Sequence, residues 1–239
     1  MIRPHRPAPN RFALWLKRAL LGLLGLLLLY QLWLFSWVLW WNVFNPEMTR
    51  FMTIRLAERR VKEPGAPLKQ EWLAYGQISP HLKRALIAAE DAKFVDHEGF
   101  DWAGIQKALE KNQQKGKVVA GGSTISQQLA KNLFLSPAKT PWRKAEEAVI
   151  TLMLEAVWSK QRILEVYLNV IEWGDGVFGA GAAARHYYGI AAAQLSAEQA
   201  AKLAGMVPNP RFYESSPNAP GLARKAAVIL ARMPAAELP

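Results

Sequence analysis

The run from Ala19 to Trp41, ALLGLLGLLLLYQLWLFSWVLWW, holds no ionisable side chain except the phenol of Tyr30. A helix over it, rising about 1.5 Å per residue, crosses a bilayer core of about 30 Å with a little tilt. Trp33, Trp37, Trp40 and Trp41 crowd its far end, where an aromatic belt sits at a membrane interface. A cleavable signal peptide is the competing reading, but the apolar run is too long for one and no small-x-small site follows. The run predicts a retained anchor, and whatever follows Trp41 works beside a membrane.

The flanks set a direction. Residues 1–18 carry Arg3, Arg6, Arg11, Lys17 and Arg18 and no acid, so positive-inside logic keeps this tail in the cytoplasm and carries the rest across. The far flank is basic too, with Arg50, Arg55, Arg59, Arg60 and Lys62 against Glu47 and Glu58, which makes the asymmetry moderate. The lack of cysteine agrees with an oxidising exterior without establishing it. Much of the net charge of +11 is local: between Trp102 and Lys144, Glu110 alone opposes Lys107, Lys111, Lys115, Lys117, Lys131, Lys139, Arg143 and Lys144. Nucleic acid is the usual partner of such a patch. An exported domain rarely meets it, so membrane phosphates or a phosphate-bearing lipid fit better.

The chain divides into a basic tail (1–18), a transmembrane helix (19–41), a stalk and joint (42–71) and one domain (72–239). Residues 42–62 read as a helical stalk, and KEPGAPLKQEW as a turn-rich joint. From Ser79 onward the pattern is helical. Ser79 with Pro80 opens one helix, Asp101 caps another running to about Gln114, and Thr124 with Gln127 and Ser196 with Gln199 have the form of capping boxes. No segment alternates with period two over a strand's length, although residues 60–78 and 112–122 leave room for a short β-hairpin. The fold class is mainly α.

Three stretches have the residues for chemistry. AAEDAKFVDHEGFDW, residues 88–102, gathers Glu90, Asp91, Asp96, Glu98 and Asp101 at the end of an apolar helix. Leu82, Leu86 and Glu90 are spaced i, i+4, i+8, so Glu90 ends an apolar stripe. Desolvation there raises a carboxyl pKa, which suits a general base or acid; a helix-end glutamate paired with Arg or Lys is the bland alternative. Gly99 and Asp101 read as a turn and a cap, and His97 as a hydrogen-bonded structural histidine. In GGSTISQQLAKN, residues 121–132, Ile125, Leu129 and Leu133 form the buried stripe, leaving Gln128, Lys131 and Asn132 on flanking faces. Free N–H groups lie beside Ser123, Thr124 and Ser126. A plain capped helix explains this stretch, and so does a site for a sugar joined to a phosphate. In RKAEEAVITLMLEAVW, residues 143–158, Glu147 shares a face with Ile150, Thr151 and Leu154, one turn after Arg143. It reads either as a buried Arg–Glu pair or as a second desolvated carboxylate facing the first. GDGVFG, residues 174–179, matches G-x-G-x-x-G only in letters, without the βαβ unit that a dinucleotide site needs.

Together the motifs resemble the membrane-anchored peptidoglycan glycosyltransferases of glycosyltransferase family 51, in particular the monofunctional biosynthetic type. EDAKFVDHEG resembles E-D-x-x-F-x-x-H-x-G. GGSTISQQLAKN is similar to G-G-S-T-[IL]-T-Q-Q-L-x-K-N, with Ser126 for the usual threonine. RKAEE, SKQRILEVYLN, and HYYG with LSAEQAAKLAGMVPNP resemble the remaining three motifs, so the likeness runs from about Trp72 to Tyr213. It implies a lysozyme-like domain behind a single N-terminal transmembrane helix in the bacterial inner membrane, polymerising lipid II with inversion at C1 and release of undecaprenyl diphosphate. By motif position Glu90 is the implied general base and Glu147 supports the donor side. Ser123, Thr124, Gln128, Lys131, Asn132, Arg143 and Lys144 are implied for the substrate and its diphosphate, while Asp91, Phe94 and His97 hold the motif's geometry. Lys139 joins the cations on charge alone. Family members often use a divalent cation at the diphosphate, and no cluster here identifies one. The partners implied are lipid II, the growing strand, the inner membrane, and penicillin-binding and division proteins; nucleic acid is not among them. A glycan-cleaving muramidase is the runner-up, since a lysozyme-like fold with one protected glutamate also cleaves glycan. Paired glutamates beside diphosphate-suited cations favour the transferase. A catalytically inactive membrane scaffold is the third reading, disfavoured because the motif residues are all present.

Overall fold

A computed structural model describes residues 11–117, 121–138 and 140–239. The chain is mainly α, as expected. The first helix, α1 (Arg11–Val43), takes in the apolar run and the last charges of the tail as one rod of 33 residues. Its leucines through Leu32 are exposed, but Leu34 and Val38 are buried against α6 (Pro141–Val157). The indole of Trp158 donates to the Val38 carbonyl (2.8 Å), and Tyr30 donates to Glu146. Arg162 donates to the Trp41 (2.8 Å) and Phe44 (3.0 Å) carbonyls, which supplies the partners that a helix C-terminus lacks.

The segment read as a helical stalk is helical over Arg50–Lys62, and this helix packs on the domain. Thr49 caps α2 (Arg50–Lys62) by accepting from Met52 N, and Phe51 and Met52 are buried against α5 (Ile125–Phe134). An apolar pair at the first turn gives α2 a face to bury, so it packs rather than projecting into water.

Two helical groups meet in the domain. α5, α6 and α7 (Lys160–Val170) pack together. α3 (Pro80–Glu90), α9 (Ala197–Met206) and α11 (Pro220–Arg232) form the other group. The expected caps are formed: Ser79 accepts from His81 N, Asp101 opens α4 (Trp102–Lys115), and both capping boxes close in both directions. Three strands too short for an alternating pattern make a small sheet in the order β1-β3-β2. β1 (Lys69–Gln70) falls in one of the two stretches with room for a hairpin, but the hairpin itself is β2 (Glu172–Gly174) with β3 (Val177–Phe178). It is built from GDGVFG, with Gly176 at φ +74° in the turn. Gly179, at φ +80°, starts α8 (Gly179–Tyr188) where a Cβ would lie 2.7 Å from the Asn169 carbonyl oxygen. α10 (Pro210–Ser215) packs on β2.

Candidate active site

Leu82 and Leu86 fill the core beneath α3, and the stripe ends on Glu90 at the last helical position. Its carboxylate is half-buried and accepts one hydrogen bond, from Gln128 Nε2 on α5 (2.8 Å). Burial pushes the Glu90 carboxyl above the usual carboxylate range; the Gln128 hydrogen bond and the charges of Lys131 and Lys225 pull the other way. No cation pairs with it directly among the described residues, so the bland alternative of a helix-end ion pair is not what forms.

The loop after α3 is stapled from several sides. Asp91 is buried; one of its oxygens meets His97 Nε2 (2.9 Å) and the other accepts from the Ile125 backbone N–H (3.0 Å) at the start of α5. Thr124 donates to the Gly99 carbonyl (2.7 Å) while accepting from Gln127 N. Gly99 has φ +89°, and a Cβ there would lie 2.8 Å from Thr151 Cγ2. Phe94 is fully buried, with the Lys160 ammonium 4.8 Å from its ring centre. Ser126 points into the core and donates to Glu155, which pairs with Lys160 (2.8 Å). Asp91, bonded to His97, therefore ties the loop after Glu90 to the start of α5, Phe94 anchors that loop in the core, and none of the three lines the cleft.

On α6, Glu147 is 3% exposed and is held by two cations of its own helix, Arg143 (2.7 Å) and Lys144. The buried Arg–Glu pair is real, and it lies on the same cleft as Glu90. That cleft, about 510 Å³, is also lined by Ser123, Gln127, Gln128, Lys131 and Asn132. Lys144 bridges to the Ser123 hydroxyl (3.3 Å), and Asn132 Nδ2 donates to the Gln128 carbonyl (2.7 Å). Lys131 makes no ion pair among the described residues; its ammonium lies 5.9 Å from the centre of the Phe51 ring. Burial pushes its pKa down, opposed by Glu147. The Thr124 hydroxyl donates to the Gly99 carbonyl, and Thr124 is not among the residues of the cleft wall. Lys139 lies outside the described residues.

Sequence reasoning missed the far end of the cleft, where Phe51, Arg55, Glu172, Asn209 and Arg211 join the wall. Glu172 is buried between Arg211 (2.8 Å) and Arg55 (3.2 Å), and Arg211 also approaches Asp175 (3.6 Å). Nothing local announces this cluster, since its members come from α2, the hairpin and α10. The cleft thus offers a carboxylate able to take a proton and, in the same wall, cations able to stabilise an anion. Among the described residues no group of three or more His, Asp or Glu could hold a metal. Glu147 and Glu172 are each engaged by two cations. The residues present do not fit a protein-held metal, and no step is routed through one.

A family model described as Transglycosylase matches residues 57–234. Among curated relatives, the biosynthetic peptidoglycan transglycosylase of Dechloromonas aromatica (strain RCB) is 72% identical over 225 residues, covering 94% of this chain and 97% of its own length. That of Nitrosospira multiformis is 60% identical over 228 residues, covering 95% of this chain and 99% of its own length. That of Nitrosomonas eutropha is 53% identical over 237 residues, covering 99% of this chain and 97% of its own length.

Proposed function

The chain belongs to the transglycosylase family and is a glycosyltransferase of peptidoglycan synthesis, and from that premise we propose that it polymerises lipid II by inverting transfer. The 4-hydroxyl of the acceptor's N-acetylglucosamine attacks C1 of the donor's N-acetylmuramic acid. Its proton passes to Glu90, the C1–O bond breaks, and undecaprenyl diphosphate leaves with the electron pair. Lys131, Arg143 and Lys144 stabilise the charge on that leaving group as it develops. Glu147 holds Arg143 and Lys144 toward the cleft and keeps a dense cationic wall from repelling itself apart. Ser123, Gln128 and Asn132 orient the sugars.

The observation that carries this reading is that one cleft is lined both by a carboxylate held by a neutral amide and by the cations Lys131, Arg143 and Lys144. A polymer-cleaving enzyme has no diphosphate to stabilise. We further assign α1 as a single-pass anchor of the inner membrane with its N-terminus in the cytoplasm, supported by its length, its exposed leucines and the basic tail. Purified protein in detergent, given labelled lipid II, should make glycan polymer and leave preformed strands intact. Cleavage of preformed strands without polymer would replace the transferase with the muramidase, and protease access to the domain from the cytoplasmic side would overturn the topology.

A further inference from the structure

Tyr167 sits on α7, is 0% exposed, and belongs to no wall of the cleft. Its hydroxyl lies 2.9 Å from Gln128 Oε1, and Gln128 Nε2 lies 2.8 Å from Glu90 Oε2. Donor and acceptor chemistry allows one direction only for this chain of bonds. An ionised carboxylate accepts, so Gln128 turns its NH2 group to Glu90; its Oε1 then faces Tyr167, whose hydroxyl donates. That hydroxyl reinforces from the buried side the amide orientation that the ionised carboxylate requires. The flipped amide would set one oxygen against another at Glu90.

We propose that Tyr167 is a positioning residue for the proton-accepting carboxylate, acting through Gln128. This inference rests on the assignment of Glu90 as general base. The relay does two things. It holds Glu90 Oε2, leaving the other oxygen to meet the acceptor hydroxyl. It also supplies a donor to the ionised form, which offsets part of the desolvation that favours the protonated form. Burial likewise pushes the Tyr167 phenol well above its ordinary range, reinforced by the charges of Glu90 and Asp91, so it stays a donor at every working pH.

Tyr167→Phe removes one oxygen from a buried ring and tests this in the full chain with lipid II. The expected result is a kcat lower by about three- to tenfold with little change in KM, as for loss of one hydrogen bond. The acid limb of the kcat profile should move up by about half to one pH unit. The other groups facing Glu90 remain unaltered: Lys131 from α5, Lys225 from α11 and neighbouring Asp91, while Arg224 and Arg232 line a second opening onto it. α9 contributes Ala204 and Gly205 to that opening. Gln128→Met should move the limb in the same direction, and adding Tyr167→Phe to it should change nothing more. An unmoved acid limb, or effects that multiply in the double variant, would show that Tyr167 acts by packing alone. A Glu90→Gln enzyme of normal rate would instead remove the base itself, which is a separate failure with a separate readout.

Discussion

Glu90 and Glu147 line the same cleft, the first half-buried and the second buried, and their company differs. Glu90 ends an apolar helix and receives a single neutral amide. Glu147 lies in the first half of α6 with a guanidinium and an ammonium from its own preceding turn. Burial beside a neutral donor leaves the Glu90 carboxylate costly to ionise and therefore basic; Glu147 instead spends its two oxygens on ion pairs with Arg143 and Lys144. The comparison teaches that residue type and burial do not assign a role to a carboxylate, whereas the charge of its hydrogen-bond partners does.

The sharpest way to break that contrast is Glu90→Gln. Polymerisation should fall by about 10²–10⁴-fold, the loss typical of a general base, with the fold intact. Stability should respond in the opposite sense. The folded-state pKa of Glu90 is raised, so its stability contribution is complete below the unfolded pKa and is lost as pH rises through the folded pKa. At neutral pH the neutral amide of the variant escapes that penalty, and thermal unfolding should show an equal or higher midpoint; a lowered midpoint would mean that the carboxylate is stabilised rather than strained. Activity of the unmodified enzyme should fail on the acid side at a pH above the usual carboxylate range, as the base becomes protonated. A kcat profile flat through that region would count against Glu90.

Next in size are the cations. Lys131→Ala and Arg143→Ala should each lower kcat by about 10- to 100-fold, because interactions that strengthen in the transition state appear in kcat. Melting curves must accompany Arg143→Ala, which strips one partner from buried Glu147. A folded Arg143→Ala enzyme with normal kcat would reduce the patch to a lipid attractor. The smallest effect belongs to Lys107→Ala on the exposed face of α4, expected within about twofold. A large loss there would show that the basic stretch acts through its total charge and not through placed groups.

Much of the near side of the cleft was legible, because its information is local. The stripe Leu82, Leu86, Glu90, the Thr124–Gln127 box and the Arg143–Glu147 spacing are all set within two turns or so of a helix. Gln128 and Lys131 follow from the faces flanking Ile125 and Leu129. The far side was not legible. Arg55, Glu172 and Arg211 meet only after α2 folds back, the hairpin closes and α10 packs, and no helical period links them. Thr124 shows a subtler limit: its hydroxyl was visible as a cap, but its second bond to Gly99 depends on a loop 25 residues away. The β2–β3 hairpin escaped notice for a simpler reason, since two or three residues cannot display an alternation.

The docking of α1 changes what this helix would do as the proposed membrane anchor. A flexible tether raises local concentration and leaves orientation to chance. From Tyr30 to Phe44, about 20 Å of helix, α1 is instead bound to the body by Glu146, Trp158 and Arg162. With α1 across the bilayer, the enzyme stands on it as a lamp stands on its post. The tilt and height of the cleft would then follow from the docked helix, and a lipid-borne substrate would meet it at one elevation and one compass bearing.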